Sequence, residues 1–263
     1  MADIPTTSPT AEQPLPGGNI SGAVRVGSTV RRATGPWTPA VHALLDHLAR
    51  EGVPHVPRVH GIDERGREVL DYLPGEVVDL TAGPLGLARL ESLVRWARRF
   101  HRAAASFEHP GPWRFWPTGG PTTLIAHNDL GAYNLCFAGD ELSGVFDWDL
   151  AGPSTPLLEL AFIAWNGVPL WSADVDSGSA AERLQLIADT YGGVDPVTVL
   201  HAVPGRIQLM IDGIPQAAER GDSGMANLIR LGNHERDIGT RAGLLSRIPR
   251  IDAALARLNR AQR

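Results

Sequence analysis

Apolar residues recur along this chain with two different periods. Val41, Leu44, Leu45 and Leu48 repeat at i, i+3, i+4 and i+7. That spacing predicts an amphipathic helix with Thr38 as N-cap, Pro39 in its first turn and Gly52 as its stop. A longer stripe of Leu87, Leu90, Leu93, Val94, Ala97, Phe100, His101 and Ala104 predicts a second helix. Ser179 with Glu182 reads as a capping box for a third, which ends at Gly192-Gly193. Asp195-Pro196 opens another, and helical stretches follow at about 205–220, 224–246 and 250–262. Strand signals are shorter. They fall at 23–26 and 28–33 around Gly27, and at 56–62 and 67–73 around Asp63-Glu64-Arg65-Gly66. A β-like island, 124–126, 134–137 and 142–146 with a turn at Gly139-Asp140, is set among the helices.

These elements are unevenly distributed. Strands with one helix occupy the chain up to Gly75, and helices dominate from Glu76 onward. The expected organisation is a polar, flexible arm over 1–15, a β-rich lobe over 16–75 and a mainly helical lobe over 76–263. The element pattern is that of an α+β protein, and composition is ordinary for a globular chain: 263 residues, 43% apolar and 20% charged. A net charge of −5 gives no general attraction to nucleic acid or to an anionic membrane. No apolar run approaches the roughly 20 residues that span a bilayer. The first residues lack a basic, then apolar, secretory pattern, so a cytoplasmic location is expected. Cys136 is the sole cysteine, which excludes an intrachain disulfide and a cysteine-built metal site. All 24 basic residues are arginine, so lysine Schiff-base chemistry is excluded.

The chemistry concentrates in the β-like island. It reads His127-Asn128-Asp129-Leu130-Gly131-Ala132-Tyr133-Asn134, then a hairpin, then Val145-Phe146-Asp147-Trp148-Asp149. The hairpin turns the chain back, so Asp147 is expected beside Asn134. Asn134 and Asp147 suit Mg²⁺, a hard cation that takes oxygen ligands together with substrate phosphates. Asp129 is then left to orient a substrate hydroxyl and accept its proton. His127 is expected to brace the loop, and Asp149 to be an auxiliary carboxylate, a surface acid or a helix cap. A metal-dependent hydrolase with His127, Asp129 and Asp147 as ligands is a rival reading.

In residue type, spacing and order, HNDLGAYN and VFDWD resemble the catalytic loop of aminoglycoside phosphotransferases and related small-molecule kinases. The resemblance implies a protein-kinase-like two-lobed fold that binds ATP (or GTP) with Mg²⁺ and phosphorylates a small hydroxylated molecule, an aminoglycoside being one option. It implies that Asp129 is catalytic and that Asn134 and Asp147 hold the metal. It also implies a glycine-rich phosphate loop around Gly18 and an interlobe hinge at Tyr72 and Leu73. The sequence gives no oligomeric state. Two features depart from the family. The phosphate-contacting lysine of the third strand is absent, and Arg32, or next Arg31, stands in its region. The following helix has no matching glutamate; Val41 and His42 lie near its place. A catalytically weak or inactive nucleotide-binding relative is therefore the alternative. Glu159 is expected to support the catalytic loop by hydrogen bonding. Trp113, Trp116, Trp165 and Trp171 are expected either in the core or along an acceptor pocket.

Overall fold

The computed structural model describes residues 11–15, 22–78 and 83–261. The predicted glycine-rich loop with Gly18 lies outside the described residues.

Five antiparallel strands form the first sheet, in the order β1-β2-β3-β5-β4. They are β1 (Gln13–Pro14), β2 (Val24–Val26), β3 (Thr29–Ala33), β4 (Val59–Ile62) and β5 (Arg67–Asp71). β1 draws the end of the arm expected over 1–15 into the sheet: Gln13 pairs with Arg25 and Pro14 with Val24, while residues 1–10 lie outside the described residues. Proline is tolerated there because β1 is an edge strand. Helix α1 (Thr38–Arg50) connects β3 to β4 and buries Ala40, Val41, Leu44, Leu45 and Leu48, the face that the periodicity marked. Its N-cap is Trp37, not Thr38. The Thr38 hydroxyl instead accepts from the Gly35 amide at 2.9 Å, closing the turn that precedes the helix.

The chain then leaves the sheet through Tyr72–Gly75. This connector runs close over the second half of the molecule. A Cβ on Gly144 would lie 2.7 Å from the Leu73 Cβ, so only glycine fits beneath it. The Cys136 thiol sits under the same connector, with Sγ 3.7 Å from the Leu73 carbonyl oxygen. Two further bonds tie the halves together: Trp96 Nε1–H to the Pro54 carbonyl at 2.7 Å and the Val145 amide to the His55 carbonyl at 2.8 Å.

Helix α2 (Leu87–Ala104) forms the centre of the helical half, with Leu90, Leu93, Val94, Ala97 and Phe100 buried. β6 (Glu76–Val77), β8 (Leu135–Ala138) and β9 (Glu141–Val145) make a three-stranded sheet, and β7 (Leu124–Ala126) pairs with β10 (Gly152–Ser154). Five helices complete the chain: α3 (Pro156–Gly167), α4 (Ser177–Tyr191), α5 (Pro196–Glu219), α6 (Ser223–Arg230) and α7 (Asn233–Ala261).

Three expectations for these helices are corrected. Asp176, not Ser179, caps α4, accepting from the amides of Gly178 and Ser179 at 2.8 and 3.0 Å. The stretch predicted from 205 is continuous with the helix opened by Asp195-Pro196, because α5 runs through Pro204 and Pro215. The predicted break before 250 is absent as well. α7 passes through Pro249, and the interruption comes at Gly232, whose φ of 75° ends a helix more effectively than an interior proline does. Among the described residues no helix is long and apolar enough to cross a membrane.

Candidate active site

Two left-handed residues shape the loop after β7. Asn128 has φ 61° and Asp147 has φ 58°, values that asparagine and aspartate tolerate better than most residues. Asn128 is held in that conformation from three sides. Its amide donates to Glu159 Oε1 at 2.7 Å, its side chain donates to the Leu150 and Gly152 carbonyls, and its own carbonyl accepts from Arg206 at 2.6 Å. The His127 amide donates to the other Glu159 oxygen at 3.0 Å. Glu159 thus supports the loop as expected, from the first turn of α3. Burial works against its ionisation, but the His101 side chain at 3.3 Å and the loop N–H groups hold it below the ordinary range.

His127 is fully buried with both ring nitrogens engaged: Nδ1 with the Asp129 amide and Nε2 with the Phe146 carbonyl. Such an imidazole is neutral, with Nε2 donating, and burial depresses its pKa. No lone pair remains for a metal. Among the described residues there is no group of three or more His, Cys, Asp or Glu that could hold one. The hydrolase reading is not supported.

The hairpin does bring Asp147 back to the loop. The Phe146 amide donates to the Asn134 carbonyl at 3.1 Å, and Leu135 pairs with Val145. The Asn134 side chain donates through Nδ2 to Asp129 Oδ2 at 2.9 Å and to the Asp129 carbonyl at 3.0 Å. Its amide oxygen is the end left to act as a ligand. Asp129 Oδ1 accepts from the Tyr133 hydroxyl at 2.5 Å. Burial raises the Asp129 pKa to about 7, opposed by its hydrogen bond to Tyr133.

Arg32 reaches these residues from β3. Its Nε donates to Glu68 at 2.5 Å, Nη1 to Asp147 at 2.8 Å and Nη2 to Asp149 at 2.5 Å. Burial disfavours its charge, but the three carboxylates more than offset that and raise its pKa. Arg31 lies apart, near Asp63. The partner carboxylate of the cationic residue comes from the neighbouring strand, where Glu68 stands directly opposite Arg32 in the β3–β5 register. Helix α1 contributes His42, whose Nε2 lies 2.9 Å from Glu68. Asp149 bridges onward to Arg114 at 3.3 Å, and Arg114 grips Asp222 through two 2.8 Å bonds. With both oxygens held by guanidinium groups, Asp149 acts here as a structural link between Arg32 and Arg114. Burial raises its pKa, whereas in Asp147 the pull of Arg32 overcomes burial and the pKa falls.

The donor set fits a magnesium ion. Asp147 has one oxygen outside the Arg32 bond, its side chain is 43% exposed, and Asn134 adds an amide oxygen. Tyr72 and Leu73 lie in the connector; the Tyr72 amide donates to the Ser28 carbonyl and its ring stacks under Arg25 at 3.8 Å. Trp116 and Trp165 are buried, Trp113 is half-buried and Trp171 is exposed. Trp113, Phe115 and Trp116 line a cavity of about 510 Å³. Sequence reasoning did not single out Glu68, Arg114, Tyr133, Arg206 or Asp222. Of these, only Tyr133 carried a local signal, its place inside the catalytic-loop motif.

A small antiparallel sheet with one helix, a connector, a helical lobe and this loop define a kinase-like phosphotransferase fold. Known proteins agree. The profile of the phosphotransferase enzyme family (APH) matches residues 112–197. The chain is 35% identical over 192 residues to the trifolitoxin immunity protein of Rhizobium leguminosarum bv. trifolii, spanning 68% of this chain and 73% of that one. A shorter match, 37% over 73 residues, is to homoserine kinase of Janthinobacterium sp. (strain Marseille), covering 27% of this chain and 21% of that one. Among solved structures, the GDP complex of an aminoglycoside 2'-phosphotransferase-IIIa mutant superposes with a TM-score of 0.61 at 13% identity, covering 91% of this chain and 95% of that one. A choline/ethanolamine kinase family protein from Mesorhizobium loti superposes with a TM-score of 0.53 at 18% identity, covering 93% and 88%. The chain belongs to the phosphotransferase enzyme family.

Proposed function

We propose that this protein transfers the γ-phosphoryl group of ATP or GTP to a hydroxyl of a small molecule. The observation that carries this reading is the Asn134–Asp129 bond, the hairpin that returns Phe146, the neighbour of Asp147, to the Asn134 carbonyl, and the bond of Arg32 to Asp147 from the opposite lobe. In this reading Asn134 and Asp147 hold Mg²⁺, which neutralises charge on the phosphates. Arg32 orients the phosphates. A guanidinium has five N–H donors, and only three are committed to carboxylates, so one on each terminal nitrogen remains. Asp129 positions the acceptor hydroxyl and takes its proton. With a pKa of about 7 it is poised for that exchange near neutral pH. Tyr72 and Leu73 line the nucleotide side of the hinge.

The aromatic cavity supports an acceptor region next to the loop. A Cβ on Gly152 would lie 2.9 Å from Phe115, and the Gly152 carbonyl accepts from Asn128, the residue before Asp129. The helical half carries 21 acids against 17 arginines, which does not call for a polycationic substrate. Because the 35% relative is an immunity protein, neutralisation of a toxin or antibiotic belongs in the acceptor screen beside hydroxylated metabolites.

The test is nucleoside diphosphate release with Mg²⁺ across such a panel. Asp129→Asn is expected to lower kcat by about 10²–10⁴ with nucleotide affinity largely kept. Asp147→Asn is expected to weaken Mg²⁺-dependent nucleotide binding itself. An Asp129→Asn enzyme with unchanged kcat overturns the reading. The second reading, a nucleotide-binding protein with little or no transfer, is favoured by the donor already seated on each oxygen of Asp129 and by the three carboxylates that Arg32 already holds. It predicts a nucleotide-dependent rise in Tm with no turnover on any acceptor.

A further inference from the structure

Both oxygens of Asp129 already carry a donor. Asn134 Nδ2 holds Oδ2, and the Tyr133 phenol holds Oδ1 at 2.5 Å. The two donors differ in kind. The amide can stay in place during catalysis, since it leaves Oδ1 for chemistry. The phenol occupies Oδ1 with an O–H···O bond, the same contact that an acceptor hydroxyl makes with its base. The loop is built to put it there. Tyr133 lies in a short 3₁₀ turn, 132–134, closed by the Asn134 amide on the Gly131 carbonyl at 2.9 Å. A Cβ on Gly131 would fall 2.4–2.9 Å from the tyrosine ring carbons and Oη, so the ring lies across the loop only because residue 131 has no side chain.

We propose that Tyr133 is a specificity-determining residue whose hydroxyl holds the acceptor's place at Asp129, excluding water until an acceptor hydroxyl displaces it. This inference rests on the phosphotransferase reading and deepens it. In turnover the incoming hydroxyl gives its proton to Asp129 and its oxygen forms a bond to the γ-phosphorus. The bond from that phosphorus to the β–γ bridging oxygen breaks, and the electron pair leaves with the nucleoside diphosphate. With the phenol in place, water must compete with a donor already seated on Oδ1, and the same transfer to water is suppressed. The preferred acceptors are those with enough contacts elsewhere in the site to outcompete an intramolecular hydrogen bond.

The experiment is acceptor-free hydrolysis of MgATP and MgGTP by the full chain, read as inorganic phosphate, with nucleotide affinity measured in parallel. Tyr133→Phe deletes one oxygen atom and is expected to raise kcat for hydrolysis about tenfold while KM for the nucleotide stays constant. Tyr133→Leu, which also lacks the hydroxyl, is expected to move in the same direction. Adding Asp129→Asn to Tyr133→Phe is expected to abolish the gain. Unchanged or lower hydrolysis in both single variants, with nucleotide still bound, overturns the role of Tyr133 alone. Phosphate found covalently on Tyr133 of the wild type also overturns it, because the phenol would then be a substrate. Failure of every variant and the wild type to bind either nucleotide overturns the phosphotransferase reading beneath it.

Discussion

Glu68→Gln tests whether a strand residue does the work that the α1 helix cannot. The substitution keeps the shape of the side chain and removes its charge. Glu68 is 1% exposed, 2.5 Å from Arg32 and 2.9 Å from His42, so water cannot replace what is lost. Breaking a buried ion pair outright costs about 3–5 kcal/mol. Arg32 keeps Asp147 and Asp149, so its charge is not left alone and the expected loss is nearer 2 kcal/mol. For a chain of this size that corresponds to about 4–8 °C in Tm. The functional consequence is separate from the stability change. Without Glu68 the guanidinium is free to swing toward the two aspartates, so KM for the nucleotide is expected to rise more than kcat falls. A thermal melt and steady-state kinetics in varied nucleotide read both effects. A variant with wild-type Tm and wild-type nucleotide KM would show that Asp147 and Asp149 alone place Arg32, and the argument from the β3–β5 register would be wrong.

Two other substitutions probe the support of the site and its surroundings. Glu159→Gln replaces one acceptor oxygen with an amide that cannot accept from both the His127 and Asn128 amides. One fully buried N–H is left unpaired, and a loss of about 1–3 kcal/mol in urea unfolding is expected together with a lower kcat. Asp237→Asn bears on pH. Burial raises Asp237 from 3.8 to about 6, so the folded protein binds a proton that the unfolded chain releases, and wild-type stability falls as pH rises through that window. The full gap corresponds to about 3 kcal/mol, reduced by partial solvent access to about 1–2. The asparagine variant is therefore expected to be more stable than wild type at pH 7.5, with the difference closing toward pH 4. A difference that persists at pH 4 would mean that charge is not its origin.

What the sequence disclosed and what it concealed follow from distance along the chain. α1 and α2 repeat apolar residues with a helical period over a dozen residues or more, and their buried faces are those the period marked. The return of the chain beside Asn134, where the Phe146 amide meets its carbonyl, needs only a hairpin, and the Gly139-Asp140 turn between two apolar runs announces one. Glu68 is 36 residues from Arg32, and nothing local says that β5 lies beside β3 rather than β4. Arg114 and Asp222 are 108 residues apart, and each alone resembles an ordinary surface charge. Arg206 is hidden for the opposite reason. A lone arginine in an amphipathic stretch reads as solvated, yet it is fully buried and lies 4.5 Å from the centre of the Phe162 ring. Helix ends are ambiguous in sequence where several capping residues compete, as in Asp176-Ser177-Gly178-Ser179, where Asp176 is the residue that accepts from the first-turn amides.

The thiol beneath the Tyr72–Gly75 connector is a built-in probe of whether that connector moves. Cys136 is the sole cysteine, 1% exposed, and burial pushes its pKa up, so an alkylating reagent finds little thiolate while the connector is closed. Any swing that lifts Leu73 and Pro74 away uncovers it. The labelling rate of the unmodified protein therefore reports how often the connector lifts from the thiol, and comparing it with and without added nucleotide needs no dye, tag or engineered site.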